Sequence, residues 1–500
     1  MTTQSDGGLS AQIWRHHDAI DLIGNTLQRT SMTFIFYDTE TTGLSAPFDQ
    51  ILQFAAIVTD DEFNPVDDIN LRCRPKSHVI PSPSAMRVTG VGPRAIAAAP
   101  LSCYQMTAQI RSFIERHSPA VVIGFNSISY DENMLRHAFF QTLHPTYLTN
   151  TNGNSRMDVL RLAHAVAEHE PDALVVPMND KGKPSFKLAH LAPANGIKLA
   201  NAHDAMADAQ ATLELARMLR GGAPQVWQDQ FAARSRHAVE EVVTRNELVW
   251  FTDRAFKKHT ILAGAVCSNP NNPAAIAMFD LEYDPAVYLD ADLDDLRKLL
   301  KASPRPIRVM KANASPIVAP YRGGREAGVA PDEARRRLAL LRASSGFLSV
   351  LGQAMEAFDD EYGDPEHVEQ TIYAGFPIPR DRMAMEEFHK RPWAERYAVL
   401  DRFHDARYRE FAERLIFEEF PDGLPTDRRV ALANWRRERH MADAEAPWQT
   451  ITGALADLEG IRSAALAEEA GLIAEIEQYL TELQASLTAE GAGSGAGSSC

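Results

Sequence analysis

The sequence predicts an α/β domain with a mixed sheet, followed by a small β-containing domain and a region that is almost entirely helical. Three observations indicate this order. Strand-like segments come first and alternate with helical patterns later, a Gly-Gly-Ala-Pro run at residues 221–224 breaks the last of those helices, and helical periodicity dominates after Pro331. The 500 residues also exceed what one hydrophobic core usually supports, so two to three domains are expected.

The first domain is predicted to cover residues 31–222. Three early strands with short Gly-, Pro- and Asn-containing links indicate an antiparallel meander, at residues 34–37, 51–59 and 69–74. A short apolar run at 121–123 reads as a further strand. Helical periodicity occurs at residues 101–116, 133–140, 158–169 and 205–219.

Residues 225–350 are predicted to form the small β domain, on strand-like runs at 260–263, 275–279 and 307–310. Long amphipathic stretches at 383–420 and 448–487 predict a helical domain over 355–488. We expect residues 1–30 to be an extension with few apolar anchors. The Gly/Ser-rich residues 489–500 are expected to be a disordered tail.

Composition excludes two classes of protein. No window approaches the roughly 20 apolar residues needed to cross a bilayer, and the polar start lacks the apolar core of a signal peptide. We therefore expect a cytoplasmic chain without membrane contact. Its cysteines are too scattered in sequence for a CxxC metal site or a disulfide framework: Cys73, Cys103, Cys267 and Cys500.

The charge distribution leaves a nucleic-acid partner open. The formal net charge of −16 argues against binding a polyanion. Residues 301–342, however, carry ten basic side chains against three acidic ones, a local charge of +7. This basic stretch could guide a polyanion. Alternatively, Arg335, Arg336 and Arg337 could simply form a solvated helix face.

The first candidate site pair is Asp38 and Glu40, directly after the apolar run that ends at Tyr37. In a strand, residues i and i+2 point to the same side, so both carboxylates can face one point. Oxygen ligands of this kind suit magnesium or manganese. Taken alone, such a pair is more often a solvated strand edge.

Two further clusters follow later in the chain. Asp131 comes shortly after the run at 121–123, where ligands gather in α/β sheets, although taken alone an Asp in this place is more often a helix N-cap. His203 and Asp208 open the helix over 205–219. If both were mid-helix they would stand roughly 140° apart, so they can share a site only if His203 lies on the preceding loop or first turn. Asn201 is a plausible N-cap for that helix.

The joint pattern resembles the DEDD exonuclease superfamily. An Asp-x-Glu after the first strand, an Asn-x₃-Tyr-Asp after a later one and a His-x₄-Asp opening a late helix occur in the order of that superfamily. The histidine five residues before the last aspartate matches its His-containing branch. The resemblance extends to the bacterial exodeoxyribonuclease I family at residues 34–42, 53–57, 154–156 with Asp158, 184–188, 194–197 and 201–208, and weakly at 373–376.

This resemblance implies an architecture and an activity. The expected parts are a ribonuclease-H-like nuclease domain, an SH3-like domain and a helical domain, closed around a positively lined channel. The expected activity is 3′→5′ hydrolysis of single-stranded DNA to 5′-mononucleotides in DNA repair or recombination. The Asp-Thr-Glu-Thr-Thr-Gly segment at 38–43 is closer to proofreading and RNA-trimming relatives. Such a relative, or a non-catalytic nucleic-acid-binding module, is the alternative.

The resemblance also implies roles for individual residues. Asp38 would bridge two Mg²⁺ ions, for which Mn²⁺ could substitute, with Glu40 and Asp208 on one ion and Asp131 on the other. His203 would take the proton from the attacking water. Substrate contacts are expected from Glu40, Phe186 by stacking and Lys187 by phosphate contact, and more weakly from Arg136 and His164.

Two partners follow from the same resemblance. The expected substrate is single-stranded DNA, and the basic stretch is expected to bind the acidic tail of single-stranded-DNA-binding protein. The chain itself is expected to be a monomer. Phe186 and Lys187 also have a plainer interpretation, as a core aromatic beside a surface lysine.

Overall fold

The computed structural model describes residues 32–199, 203–323, 325–356, 365–463 and 466–495, so the predicted extension over residues 1–30 lies outside it. Within these ranges, no single helix is long and apolar enough to cross a membrane. One pair of helices, Pro331–Ala343 and Ser345–Glu356, passes that test by length and composition, but it is bent by 79°.

The first sheet contains five strands: β1 (Thr33–Thr41), β2 (Ile51–Thr59), β3 (Pro65–Arg72), β4 (Ala120–Gly124) and β5 (Ser155–Asp158). Their spatial order is β3-β2-β1-β4-β5. The first three strands pair antiparallel, whereas β4 and β5 run parallel to β1. The predicted mixed sheet is thus confirmed. Strand β5 was not predicted, because its four residues are too few to show a period.

The described residues of the first domain form seven α-helices: α1 (Pro83–Thr89), α2 (Pro93–Ala97), α3 (Cys103–His117), α4 (Asp131–Gln141), α5 (Val159–His169), α6 (Leu188–Ala194) and α7 (Ala205–Gly222). Helices α3 and α4 cover one face of the sheet, and α5, α6 and α7 cover the other. Successive side chains of β1 point to opposite faces of the sheet and so belong to two different hydrophobic cores. Phe34 and Phe36 pack with the apolar residues of α5 and α7, while Ile35 and Tyr37 pack with those of α3 and α4.

The second sheet follows helices α8 (Pro224–Ala232) and α9 (Arg236–Arg245). It contains β6 (Val249–Thr252), β7 (Thr260–Ser268), β8 (Ala275–Asp280), β9 (Ile307–Lys311) and β10 (Ile317–Pro320), with α10 (Leu293–Lys301) between β8 and β9. All pairs are antiparallel, in the order β10-β6-β7-β8-β9. The last strand therefore returns to pair with the first. Helices α11 (Pro331–Ala343) and α12 (Ser345–Glu356) pack on this sheet through Leu338 and Phe347.

The remaining region is helical, as predicted: α13 (Pro379–Lys390), α14 (Ala406–Glu419), α15 (Thr426–His440), α16 (Ile451–Arg462) and α17 (Ala470–Gly495). Its helices pack directly on the first domain. Phe388 and Phe411 share a core with Tyr104, and Leu480 shares another with Met86. These two shared cores fix the helical domain beside the first sheet.

One detail differs from the sequence predictions. Helix α17 continues to Gly495, past residue 489 where a disordered tail was expected, because each residue added to an existing helix needs no new nucleation. Residues 496–500 lie outside the described ranges. In addition, Cys73 and Cys103, which are distant in sequence, are buried free thiols in hydrogen-bond contact. Long-range packing, not spacing, brings them together.

Candidate active site

One large cleft collects the sequence clusters. It is an open space of about 1530 Å³ that is bordered by Asp38, Glu40, Asp131, His203 and Asp208 from the first domain. Its opposite border is formed by residues of the helical domain between Ala444 and Asp457. Small-molecule pockets usually measure about 300–1,000 Å³, so this cleft has the dimensions of a polymer site.

Strand β1 places Asp38 and Glu40 on one side, as the alternation predicts, while Thr39 between them is buried. The Thr39 hydroxyl donates a hydrogen bond of 2.5 Å to Oδ1 of Asp131. Sequence reasoning did not identify this residue. Thr39 therefore connects the first carboxylate pair to the second cluster.

Asp131 is the first residue of α4, and the N-cap position belongs to Tyr130, whose side chain makes no capping bond. The capping alternative for Asp131 is therefore wrong. Because β4 runs parallel to β1, the loop after β4 lies at the same edge of the sheet as Asp38. Asp158 holds this loop by accepting hydrogen bonds from the backbone N–H groups of Asn126 and Ile128 at 2.9 and 3.2 Å.

His203 lies before helix α7 with a left-handed backbone, at φ 69°. This conformation removes it from the helical spiral, so the 140° separation from Asp208 does not apply. Its backbone N–H donates to Oδ2 of Asp208 at 3.1 Å. His203 is exposed and Asp208 half-buried at the cleft.

Asp204 is the N-cap of α7, and not Asn201, which lies outside the described residues. Its Oδ1 accepts from the backbone N–H groups of Met206 and Ala207. Its Oδ2 accepts from Arg72 at 2.7 Å and Gln53 at 3.1 Å. Asp204 thereby fixes the start of α7 to strands β2 and β3. An Asp directly before a helical pattern was a capping signal that could have revealed it.

The donor atoms can hold a divalent cation. Ligand atoms of Glu40, His203 and Asp208 all lie within 4.8 Å of one another. Asp38 belongs to the same cluster, because the negative charges of Asp131, Asp208 and Glu40 add to burial in raising the pKa of its carboxyl group. The carboxylate oxygens are the hard ligands that Mg²⁺ and Mn²⁺ prefer, and the imidazole adds a nitrogen ligand.

Two family models match the chain: the exonuclease model over residues 35–216 and the exonuclease I C-terminal domain model over 366–483. Exodeoxyribonuclease I of Escherichia coli K12 is 29% identical over 374 residues, which are 71% of this chain and 78% of the relative. The chain belongs to the exodeoxyribonuclease I family. The resemblance predicted from the motifs is thus confirmed.

Solved exonuclease I structures agree with this assignment. The enzyme of Methylocaldum szegediense and the E. coli enzyme in complex with a dA16 oligonucleotide both superpose with a TM-score of 0.80 at 26% identity, covering 90% of this chain and 99% of theirs. Two further relatives superpose with a TM-score of 0.78. They are SSB/exonuclease I in complex with an inhibitor, and a zinc-bound E. coli exonuclease I complex with single-stranded DNA.

The carboxylates of this exonuclease I family member repel one another in the absence of a cation. Burial, together with the charges of Asp208 and Asp131, raises the pKa of Glu40 to about 8. Burial raises the pKa of Asp131 to about 7, against the lowering effect of the hydrogen bond from Thr39. Burial and then Asp131 raise the pKa of Asp38 well above its ordinary value. A bound cation would relieve this repulsion.

This repulsion predicts a pH-dependent stability. The folded-state pKa values of Glu40 and Asp131 lie above those of unfolded carboxyl groups, so their contribution to stability is present at about pH 4 and is lost as the pH rises through 7 to 8. In chelator, Glu40→Gln should therefore raise the Tm by a few degrees at pH 8 and by less at pH 5. Thermal melts at both pH values measure this difference. The exposed Glu62→Gln is the matched control, and an equal Tm for Glu40→Gln and wild type at pH 8 would contradict the repulsion.

Three of the four further substrate candidates border the cleft: Phe186, Lys187 and His164. The Phe186 ring lies 4.5 Å from that of His164 and 4.4 Å from the Arg254 guanidinium, whereas Lys187 is exposed. Burial lowers the pKa of His164 to about 3, so this ring is neutral and cannot attract phosphate by charge.

Arg136 does not border the cleft. Its guanidinium pairs with the buried Glu132 at 3.0 Å and lies 5.1 Å from the Tyr147 ring centroid. The reason is helical geometry: Arg136 is five residues after Asp131 on α4, about 500° around the axis, and so faces elsewhere. Its proposed substrate contact is not supported by this placement.

The basic stretch has much of its charge balanced within the chain. Arg335 pairs with Asp332, while Arg336 and Arg337 both pair with Glu333. Arg308 is buried and donates to backbone carbonyl groups, and Arg322 pairs with Asp229 at 2.7 Å. Asp332 and Glu333 are already counted in the local charge of +7, but Asp229 lies outside the stretch, as does Glu168, which pairs with Arg325 at 3.5 Å. These outside partners reduce the positive potential that a polyanion would meet.

Proposed function

We propose that this chain is a 3′→5′ exonuclease that degrades single-stranded DNA to 5′-mononucleotides. The observation that carries the proposal is the convergence of Asp38, Glu40, Asp131, Asp208 and His203 on one cleft of polymer size. The similarity to E. coli exonuclease I, solved with a DNA oligonucleotide, supports the substrate class. A non-catalytic module would be expected to lack at least one of these five residues.

Magnesium is the proposed cofactor, with manganese as a substitute, held as two ions by Asp38, Glu40, Asp131 and Asp208. When bound, such ions neutralise charge at the scissile phosphate, activate water and stabilise the leaving 3′-oxygen. The zinc-bound relative supports a divalent-cation site of this kind. The raised pKa values of the carboxyl groups also support a cation site, because they reflect a repulsion between carboxylates that a bound cation would relieve.

His203 is the proposed general base. A neutral imidazole can accept a proton near neutral pH, and this one stands exposed at the cleft. The backbone bond to Asp208 and the left-handed conformation hold the residue beside the carboxylates. Its ring nitrogen would take the proton from the water that attacks the phosphate.

The preference for single-stranded over duplex DNA is proposed to come from the arrangement of the domains around the cleft. The cleft is bordered by the first domain on one side and by the helical domain on the other. A flexible single strand can enter such a space, whereas a duplex roughly 20 Å wide is excluded. We therefore expect no sequence-specific cutting.

Digestion of matched substrates tests the function. Single-stranded DNA, duplex DNA and RNA of one sequence, labelled at either end, are incubated with magnesium and with chelator. We expect mononucleotides from single-stranded DNA only with magnesium, and shortening from the 3′ end. Faster cleavage of RNA would favour an RNA-trimming enzyme, and binding without cleavage in magnesium would favour the non-catalytic module.

Further assignments rest on the same family relationship. The second sheet is proposed to be SH3-like, because it has five antiparallel strands and its last strand returns to pair with its first. Binding of the acidic tail of single-stranded-DNA-binding protein is proposed for this chain, and the SSB/exonuclease I structure supports it. A repair or recombination role, a cytoplasmic location and a monomeric state stay predictions.

A further inference from the structure

The cleft is poor in positive charge for a site that accepts a polyanion. Among the described residues that border it, Lys187 is the only lysine or arginine. Carboxylates outnumber it there: Asp38, Glu40, Asp49, Asp131, Asp208 and Asp457. The positively lined channel that the family resemblance implied is therefore not what this part of the molecule presents. Phosphate ion pairs cannot supply most of the strand affinity inside the cleft.

The same cleft has apolar side chains that face solvent. Leu44 is 87% exposed and Val88 is 56% exposed, and both border the cleft. Across from them the helical domain contributes Pro447 and Trp448, from the segment between α15 and α16. Exposed apolar surface beside a reactive centre indicates a ligand that brings apolar surface of its own.

Trp448 is the aromatic side chain that the helical domain contributes to this border, and it is held rigidly. Its indole N–H donates to the backbone carbonyl oxygen of Arg439 at 2.8 Å, and the Arg439 guanidinium lies 4.2 Å from a ring centroid of the indole. The rings of Phe48 and His367 contact it edge-on at 5.7 and 5.0 Å.

The support behind Trp448 is itself buried. Arg439 is 5% exposed and pairs with Glu369 at 3.0 Å. The indole orientation is therefore set before any ligand arrives, while the side chain stays partly exposed at the cleft. A ring that is held in a fixed orientation and is partly exposed at a cleft border is suited to stacking.

We propose that Trp448 forms a stacking subsite for an unpaired base of the substrate strand. This inference rests on the proposed function and adds to it a contact from the helical domain. A base can stack only when it is unpaired, and every base has a π-face, so the subsite favours single strands without reading sequence. Stacking also involves no counterion release, so its contribution is insensitive to salt.

Binding measurements in chelator, where hydrolysis is blocked, test the subsite. Trp448→Ala should bind oligo(dT) roughly 5- to 100-fold more weakly than wild type, and Trp448→Phe should recover much of the loss. The factor for Trp448→Ala should be the same at low and high salt. By contrast, the factor for Lys187→Ala should shrink as salt rises. With magnesium, Trp448→Ala should raise KM more than it lowers kcat.

Tryptophan fluorescence gives a second readout that does not depend on affinity. Stacking on a base should quench the Trp448 emission, so oligo(dT) should quench wild type more than Trp448→Phe. Trp393→Phe is the matched control. It also carries an arginine over its ring, Arg396 at 3.6 Å, but does not border the cleft. Its quenching should equal that of wild type.

The outcomes separate the two proposals. If wild type binds and degrades single-stranded DNA while Trp448→Ala binds equally well and Trp448→Phe is quenched like wild type, the subsite is wrong and the function stands. If wild type neither binds nor degrades the strand, the function itself is wrong. Should Trp448→Ala fail to fold, by circular dichroism, the quenching of Trp448→Phe decides.

Discussion

Replacement of Asp38 or Asp208 by alanine is expected to abolish hydrolysis while leaving single-stranded DNA binding largely intact. Both side chains belong to the carboxylate cluster at the cleft, and the repulsion within it marks a site built for cations. Because several kcal/mol of transition-state stabilisation depend on bound cations in such sites, the rate should fall by about 10³-fold or more. Initial rates on 3′-labelled single strands and binding in chelator measure the two effects separately.

Asp457→Asn is a matched control for these variants. Its carboxylate borders the same cleft but accepts hydrogen bonds from Ser84, at 2.7 and 3.0 Å, and takes no part in the cluster. Activity within a few-fold of wild type is expected. Turnover by the wild type at its full rate in chelator would rule out the cation-dependent mechanism.

Removal of the His203 imidazole is expected to lower the rate by about 10²- to 10⁴-fold at neutral pH, the usual contribution of a general base. Some activity should return as the hydroxide concentration rises. His203→Asn is the sharper variant, since asparagine tolerates the left-handed backbone at φ 69° better than alanine does. His190→Ala provides the control, because His190 also borders the cleft but is bonded to Ser185 at 2.7 Å.

A metal titration distinguishes a base from a ligand at His203. Its ring lies close enough to Glu40 and Asp208 to contribute to a cation site. If His203 acts as a base, its variants should keep the wild-type dependence on magnesium concentration. Rescue of the variants by excess magnesium would assign His203 to metal binding instead. A loss of activity below about threefold would remove it from the mechanism.

Local sequence determined the features that depend on neighbours in the chain. The period of two in a strand was sufficient to place Asp38 and Glu40 on one side, and β1 confirms it. The order of strands and helices predicted the mixed sheet, and the helical periodicity after Pro331 predicted the helical region. These predictions succeed because the repeat of the backbone fixes the direction of nearby side chains.

Contacts between residues far apart in the chain were decided only by the tertiary structure. The parallel pairing of β4 with β1 brings Asp131 to Thr39, and a left-handed backbone turns His203 out of the helix before Asp208. Trp448 reaches the cleft only because the helical domain packs against the first one. Asp229 and Glu168, which pair with Arg322 and Arg325 of the basic stretch, lie far away in sequence and could not be foreseen from a local charge count either. Local periodicity sets where a side chain points along its own element, whereas the docking of elements depends on shape and burial summed over the whole chain.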